Sequence, residues 1–147
     1  MEEVVLINHV VKVDREKNIN LYKALPKVSE KSHCGCEDCQ NYANRIVQAS
    51  SEVLAFFQQF GVDPTKEAEV WKAASNLNGY DIYTADYHFV GEIQGTNELD
   101  WIQIAEASFG LTNYTGEIEN PMIPSTFDKP LIELAVRIKI PHTELQI

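Results

Sequence analysis

The sequence predicts an α+β fold: a single domain over residues 1–147, with a mainly antiparallel sheet packed against one long or broken helix. Three observations lead there. Residues 131–140 alternate, with Ile132, Leu134, Val136, Ile138 and Ile140 on one parity and Glu133, Arg137 and Lys139 on the other, as a half-buried strand requires. Asn78-Gly79 separates two strand-like runs, and both residues tolerate the positive φ of a tight hairpin. Cys39, Tyr42, Ala43, Ile46, Val47, Val53, Leu54, Phe57 and Phe60 recur three and four residues apart, which lines up one apolar stripe on a helix. A length of 147 residues suits one domain with a core of its own, and 44% apolar with 23% charged residues is a globular composition.

Taken in order, Val4 to Val13 reads as a strand, with Val5, Ile7, Val11 and Val13 on one parity and His9 among them as a core histidine. Asp14 to Asn18 reads as a polar turn, and Ile19 to Leu25 as a returning strand that Pro26 stops. Residues 27–33 form a polar connector. Glu37 and Asp38 suit the first turn of the helical stretch, and Gly61 with Asp63-Pro64 beyond suits its end. Ser50 is a good N-cap, so Ala49-Ser50-Ser51-Glu52 can divide the stretch; one helix and two are both open.

The hairpin strands run from Glu69 to Asn76 and from Tyr80 to Ile93. In the second, Tyr83, Tyr87, Phe89 and Ile93 share one parity and Asp86, His88 and Glu92 the other, unless a bulge near Ala85-Asp86 shifts the register. Residues 101–114 supply one more strand. Residues 117–130, with Pro121, Pro124 and Pro130, read as a long loop before the last strand.

The formal net charge of -10 is unevenly placed. Residues 1–33 hold six Lys/Arg and five Asp/Glu, whereas residues 34–147 hold six and seventeen. Residues 73–128 contain no cation but nine acids: Asp81, Asp86, Glu92, Glu98, Asp100, Glu106, Glu117, Glu119 and Asp128. Such a stretch argues against binding a phosphate backbone. Its acids either pair with distant cations or face water, as a solubilising face or as a surface for a basic protein or a metal ion. The longest uncharged run is ten residues, too short to span a bilayer, and the acidic start is unlike a signal peptide, so a cytoplasmic protein is expected.

His33-Cys34-Gly35-Cys36-Glu37-Asp38-Cys39 places all three cysteines within six residues and a histidine beside them. Thiolates and imidazole are zinc ligands, and Cys36-x-x-Cys39 has the spacing of half a zinc knuckle, which makes Cys34, Cys36 and Cys39 the candidate metal ligands. No second half exists in the chain. Four ligands within seven residues hardly surround one ion, so His9, His88, His142 or a second subunit would have to contribute. Zinc is therefore not favoured over three reduced thiols that cap and pack under the helix start. Redox chemistry is disfavoured because Glu37-Asp38 between the sulfurs opposes a lowered thiol pKa.

Asp86, His88 and Glu92 on one strand face can pair a carboxylate with an imidazole, as a general base requires; an outward, solvated strand face explains them equally. No nucleophile elbow or phosphate loop accompanies them. Trp71, Tyr80, Tyr83, Tyr87, Phe89 and Trp101 crowd the hairpin, where alternate rings build core and the others are left to line a patch or pocket.

Cys34-Gly35-Cys36-x-x-Cys39-x-Asn41, Gly61-Val62-Asp63-Pro64-x-Lys66, Glu69-Val70-Trp71 and Tyr87-His88-Phe89-x-Gly91 together resemble a group of small uncharacterised bacterial proteins. In that group a C-G-C-x-x-C-x-N element opens a helix, a G-(I/V)-D-P turn follows, and a Y-H-F-x-G strand comes later. The resemblance covers residues 33–93. It implies a bacterial cytosolic origin and a shared α+β fold, and it implies no activity.

Three functions are expected from these readings. The first is a non-enzymatic acidic binding protein, of the inhibitor or immunity type, with a basic partner. The second is a metal-binding or thiol-dependent domain using Cys34, Cys36 and Cys39. The third is a small-ligand enzyme using His88 and Asp86.

Overall fold

The computed structural model describes residues 1–116 and 123–142. A seven-stranded antiparallel sheet carries three helices, as an α+β domain. Its strands are β1 (Glu2–Leu6), β2 (His9–Val13), β3 (Glu69–Leu77), β4 (Tyr80–Ile93), β5 (Ile102–Ile104), β6 (Ala107–Tyr114) and β7 (Leu131–Pro141); the helices are α1 (Arg15–Lys23), α2 (Glu37–Ile46) and α3 (Ser51–Gln58). The sheet order is β1-β2-β4-β7-β6-β5, and β3 also pairs with β4.

β4 and β7 form the centre, paired from Tyr80↔Pro141 to Val90↔Leu131. The expected inward residues of both strands are buried, and aromatic contacts from α2 and from α3 with its C-terminal extension cover that face, Tyr42 of α2 meeting Tyr83 at 5.9 Å. Phe56 stacks on Phe109 at 4.1 Å, Phe60 on Phe89 at 4.7 Å, and Phe57 meets the Tyr87 ring edge-on at 5.2 Å. Gly61 ends α3 at φ +76°, and a Cβ there would stand 2.5 Å from the Arg15 carbonyl, so glycine is needed both for the turn and for the approach of α1.

Several elements differ from the sequence expectation. Val4 to Val13 is a hairpin rather than one strand, because Ile7 and Asn8 both adopt positive φ, 48° and 60°. His9 is half-buried rather than a core residue, and Val5 is exposed. The expected turn and strand over residues 14–25 are helix α1, with the Asp14 side chain accepting the Lys17 N–H. The helical stretch divides in two at Ser50. The hairpin irregularities lie on β3, between Lys72 and Ala74 and between Ala74 and Leu77, so the parity of β4 stands. Residues 101–114 hold two strands, β5 and β6. Of the expected loop 117–130, residues 117–122 lie outside the described residues, and 123–130 carry neither helix nor strand.

The edge of β4 explains why α1 is a helix. β3 pairs with β4 as far as Asp86, and β2 takes up that edge again at Gly91. Between them the backbone groups of His88 and Val90 face an edge with no strand. Side chains fill the gap: Asn18 accepts the Val90 N–H at 2.7 Å and donates to the Val90 carbonyl at 3.1 Å. Tyr22, one turn further along α1, donates its hydroxyl to the His88 carbonyl at 2.6 Å, while the Glu67 carboxylate accepts the His88 N–H. Buried backbone groups must be paired, and a helix presenting polar residues four apart supplies here what a strand would. Asn18 and Tyr22 are accordingly the buried residues of α1.

Candidate functional site

The connector after α1 winds through successive turns that deliver His33 and Cys34 to the start of α2. The His33 and Cys34 N–H groups both donate to the Glu30 carbonyl, at 3.0 and 3.1 Å. Gly35 then takes φ +70°, and the Gln40 side chain donates back to its carbonyl at 2.7 Å. Cys36 follows as the N-cap of α2 in an extended conformation, and its Sγ accepts the Cys39 N–H at 3.4 Å.

This path gathers all three sulfurs within 4.8 Å of one another. None is in a disulfide; Cys34 and Cys36 are exposed, and Cys39 is buried. The expected packing and capping roles are therefore divided, with Cys39 in the core and Cys36 on the cap. The Cys39 N–H, aided by the neighbouring thiols, holds the Cys36 thiol below its usual pKa against the opposing effect of burial. Burial, and then the two nearby sulfurs, push Cys39 well up. Three sulfurs this close repel one another when ionised, and a bound cation removes that cost.

None of the histidines named as outside helpers joins the sulfurs in a cluster of ligand atoms. His142 Nδ1 lies 2.8 Å from Asp81, His88 Nδ1 lies 3.2 Å from Glu67, and His9 belongs to β2. His33 behaves differently. Its Nε2 faces the Glu67 carbonyl oxygen at 3.2 Å. A carbonyl only accepts, so Nε2 carries the hydrogen and Nδ1 presents a lone pair. That Nδ1 is buried and has no hydrogen-bond partner.

The second constellation is rearranged. His88 is buried at 3% exposure rather than facing water, and Glu67, not Asp86, holds its imidazole. Burial lowers the His88 pKa, but the bond and charge of Glu67, with Glu133 and Asp86 behind, raise it overall. Asp86 is half-buried, and burial followed by repulsion from Glu133 and Glu69 pushes its carboxyl up to about 6. Glu92 is exposed beside Gln94. Nε2 of His88 is also buried without a hydrogen-bond partner, and the Tyr114 ring meets the imidazole edge-on at 5.7 Å. Sequence reasoning missed Glu67, a buried carboxylate at φ +69° and 21 residues away in the chain from His88, too far for spacing to associate them.

Among the described acids of the cation-free stretch, Asp81, Glu106 and Asp128 have partners within the molecule, whereas Glu92, Glu98 and Asp100 are exposed. Asp81 is 3% exposed and accepts from the Asn76 N–H at 2.8 Å, with His142 and Lys72 beside it. Glu106 accepts from both the N–H and the hydroxyl of Ser50, and Asp128 pairs with Lys17 at 2.9 Å. Trp71, Tyr80 and Trp101 are exposed, whereas Tyr83, Tyr87 and Phe89 build core. Among the described residues no helix is long and apolar enough to cross a membrane. Comparison with protein-family models, with curated proteins and with solved structures gives no match to the chain.

Proposed function

We propose that this is a metal-binding protein that takes a thiophilic ion, zinc or copper(I), at Cys34, Cys36 and Cys39. The observation that carries the reading is the gathering of three free sulfurs within 4.8 Å of one another, at the start of a helix. Soft thiolate sets select these ions over magnesium or calcium. In the reducing bacterial cytosol that the sequence resemblance implies, clustered thiols serve metals more readily than disulfides. Two of the three ligands are at the surface, so the ion can enter and leave without unfolding the core.

Elemental analysis after loading the reduced protein with zinc or copper(I) and desalting tests this. About one equivalent should remain bound, and Cys36→Ser should abolish it; retention of less than about a tenth of an equivalent by the unaltered protein would end the reading.

An acidic binding protein with a basic partner ranks second. The exposed Trp71, Leu77, Tyr80 and Trp101 support it, since exposed apolar groups of this size suit an interface. It loses weight because Asp81 and Glu106 are engaged within the molecule and Asp128 pairs with Lys17 at the surface. A basic polypeptide that leaves the fluorescence of Trp71 and Trp101 unchanged at low salt would count against it. An enzyme built on His88 and Asp86 ranks third, because His88 is buried and its imidazole is held by Glu67 rather than by Asp86.

A further inference from the structure

We propose that His33 supplies the fourth ligand, through Nδ1, and completes a Cys3His tetrahedral zinc site with Cys34, Cys36 and Cys39. The inference rests on the reading that the cysteines bind a metal, and it goes on to name the ion and the ligand that closes its shell. Three thiolates leave a zinc ion one ligand short of its usual four. His33 is the immediate neighbour of Cys34, and the turn at Gly35, φ +70°, already folds this segment so that three of its side chains converge, which relieves the crowding expected of four ligands within seven residues. Metal-bound histidines regularly donate their other ring N–H to a carbonyl or carboxylate, which fixes the tautomer and orients the ring. His33 already has that arrangement: Nε2 is 3.2 Å from the Glu67 carbonyl, and Nδ1 is buried without a hydrogen-bond partner.

An unpaired buried nitrogen is costly, and a ligand removes the cost. His88 shows the same pattern, with Nδ1 at the Glu67 carboxylate and Nε2 buried without a partner, but it lies on β4, far along the chain from the cysteines. His142 directs Nδ1 at Asp81 and His9 sits in β2, so among the histidines His33 alone adjoins the cysteines in sequence. The imidazole is not among the atoms already within 4.8 Å of one another, so zinc binding draws His33 toward the sulfurs. The polar connector between α1 and α2 is thereby clasped to the first turn of α2, and a closed four-ligand shell makes the ion a structural one.

The test is competitive zinc titration of the reduced protein against a chelator of known affinity, with the unaltered chain, His33→Ala and His33→Gln. Glutamine retains an N–H donor toward the Glu67 carbonyl but offers no imidazole, so it separates ligation from loop support. Both variants should lose at least about tenfold in affinity, the scale on which metal sites respond to altered ligand shells. Cobalt(II) in the variants should keep its thiolate charge-transfer absorption while its d–d bands change. In the unaltered protein with labelled histidine, the His33 Nδ1 resonance should move on adding zinc. Unchanged affinity in His33→Gln, or an unmoved Nδ1 resonance in a zinc-loaded chain, overturns the role of His33 and leaves the three-cysteine reading standing. Failure of the unaltered chain to take up zinc overturns both.

Discussion

Asn18 replaces a stretch of strand with one side chain. It bonds both the N–H and the carbonyl of Val90 and donates to the Phe60 carbonyl at 2.9 Å, all in the buried interior. Removing it strands the Val90 N–H and the Phe60 carbonyl, each unsatisfied group costing about 1–3 kcal/mol, and leaves the Val90 carbonyl with only the Asp14 N–H at 3.3 Å. Asn18→Ala should therefore destabilise by about 2 kcal/mol or more, read as a lower urea midpoint with an unchanged slope. A loss below about 0.5 kcal/mol, the usual effect of a surface change, would show that the gap in the β4 edge is filled some other way. Asn18 was not legible as a core residue, because sequence patterns register burial through apolar side chains. The same limit hid Glu67, whose carboxylate completes the edge beside His88. The cysteines were legible because their grouping in sequence is also their grouping in space.

At the scale of elements, strands were read more reliably than the first helix, and the reason is visible in α1. Ile19 and Leu21 alternate as in a strand, whereas the face that packs holds Asn18 and Tyr22, whose polar atoms hide its helical period. The one signal of a helix is Asp14, the N-cap. α2 and α3 bury apolar residues and so showed their period, while their division depends on a partner far along the chain. Ser50 makes no side-chain cap bond within its own helix; its hydroxyl and N–H both go to Glu106, in the turn between β5 and β6. A carboxylate at this end also opposes the positive pole of α3. Burial raises the Glu106 carboxyl, but the Ser50 hydroxyl, the Glu106 N–H and the Ser50 N–H together hold it below its usual pKa. Glu106→Ala should cost about 1 kcal/mol, in the range of a lost N-cap, and should weaken amide-exchange protection in α3 before that in β4. Equal loss of protection in both would argue that Glu106 supports the whole sheet rather than the helix end.

At the scale of the whole molecule, the described residues include two opposed groups of titrating side chains, and together they set its stability against pH. Asp81 and Glu106 have folded pKa values below their usual ones. For Asp81 the Asn76 N–H, His142 and Lys72 outweigh burial. Their stabilisation is present above about pH 4.5, the ordinary carboxylate range, and is lost as pH falls. Asp86 and His88 have raised folded values. His88 stabilises in full below about pH 6.5, the value it has when unfolded, and its contribution is lost as pH rises through its higher folded pKa. With its carboxyl pushed up to about 6, Asp86 holds its proton more tightly in the folded state than in the unfolded one. A penalty therefore grows from about pH 4 to about pH 6 and stays constant above. The metal-free, reduced protein should accordingly be most stable at about pH 5 and weaken on both sides. Asp86→Asn removes the acid whose burial and repulsion by Glu133 and Glu69 create that penalty. It should raise the unfolding free energy at pH 7.5 by about 1 kcal/mol, discounted for the partly solvated site, and change little at about pH 4. Thermal melts of both proteins across this range decide the matter: a midpoint that keeps rising from about pH 5 to 8 in the unaltered chain, or an Asp86→Asn effect as large at about pH 4 as at 7.5, would mean that these groups do not govern the profile.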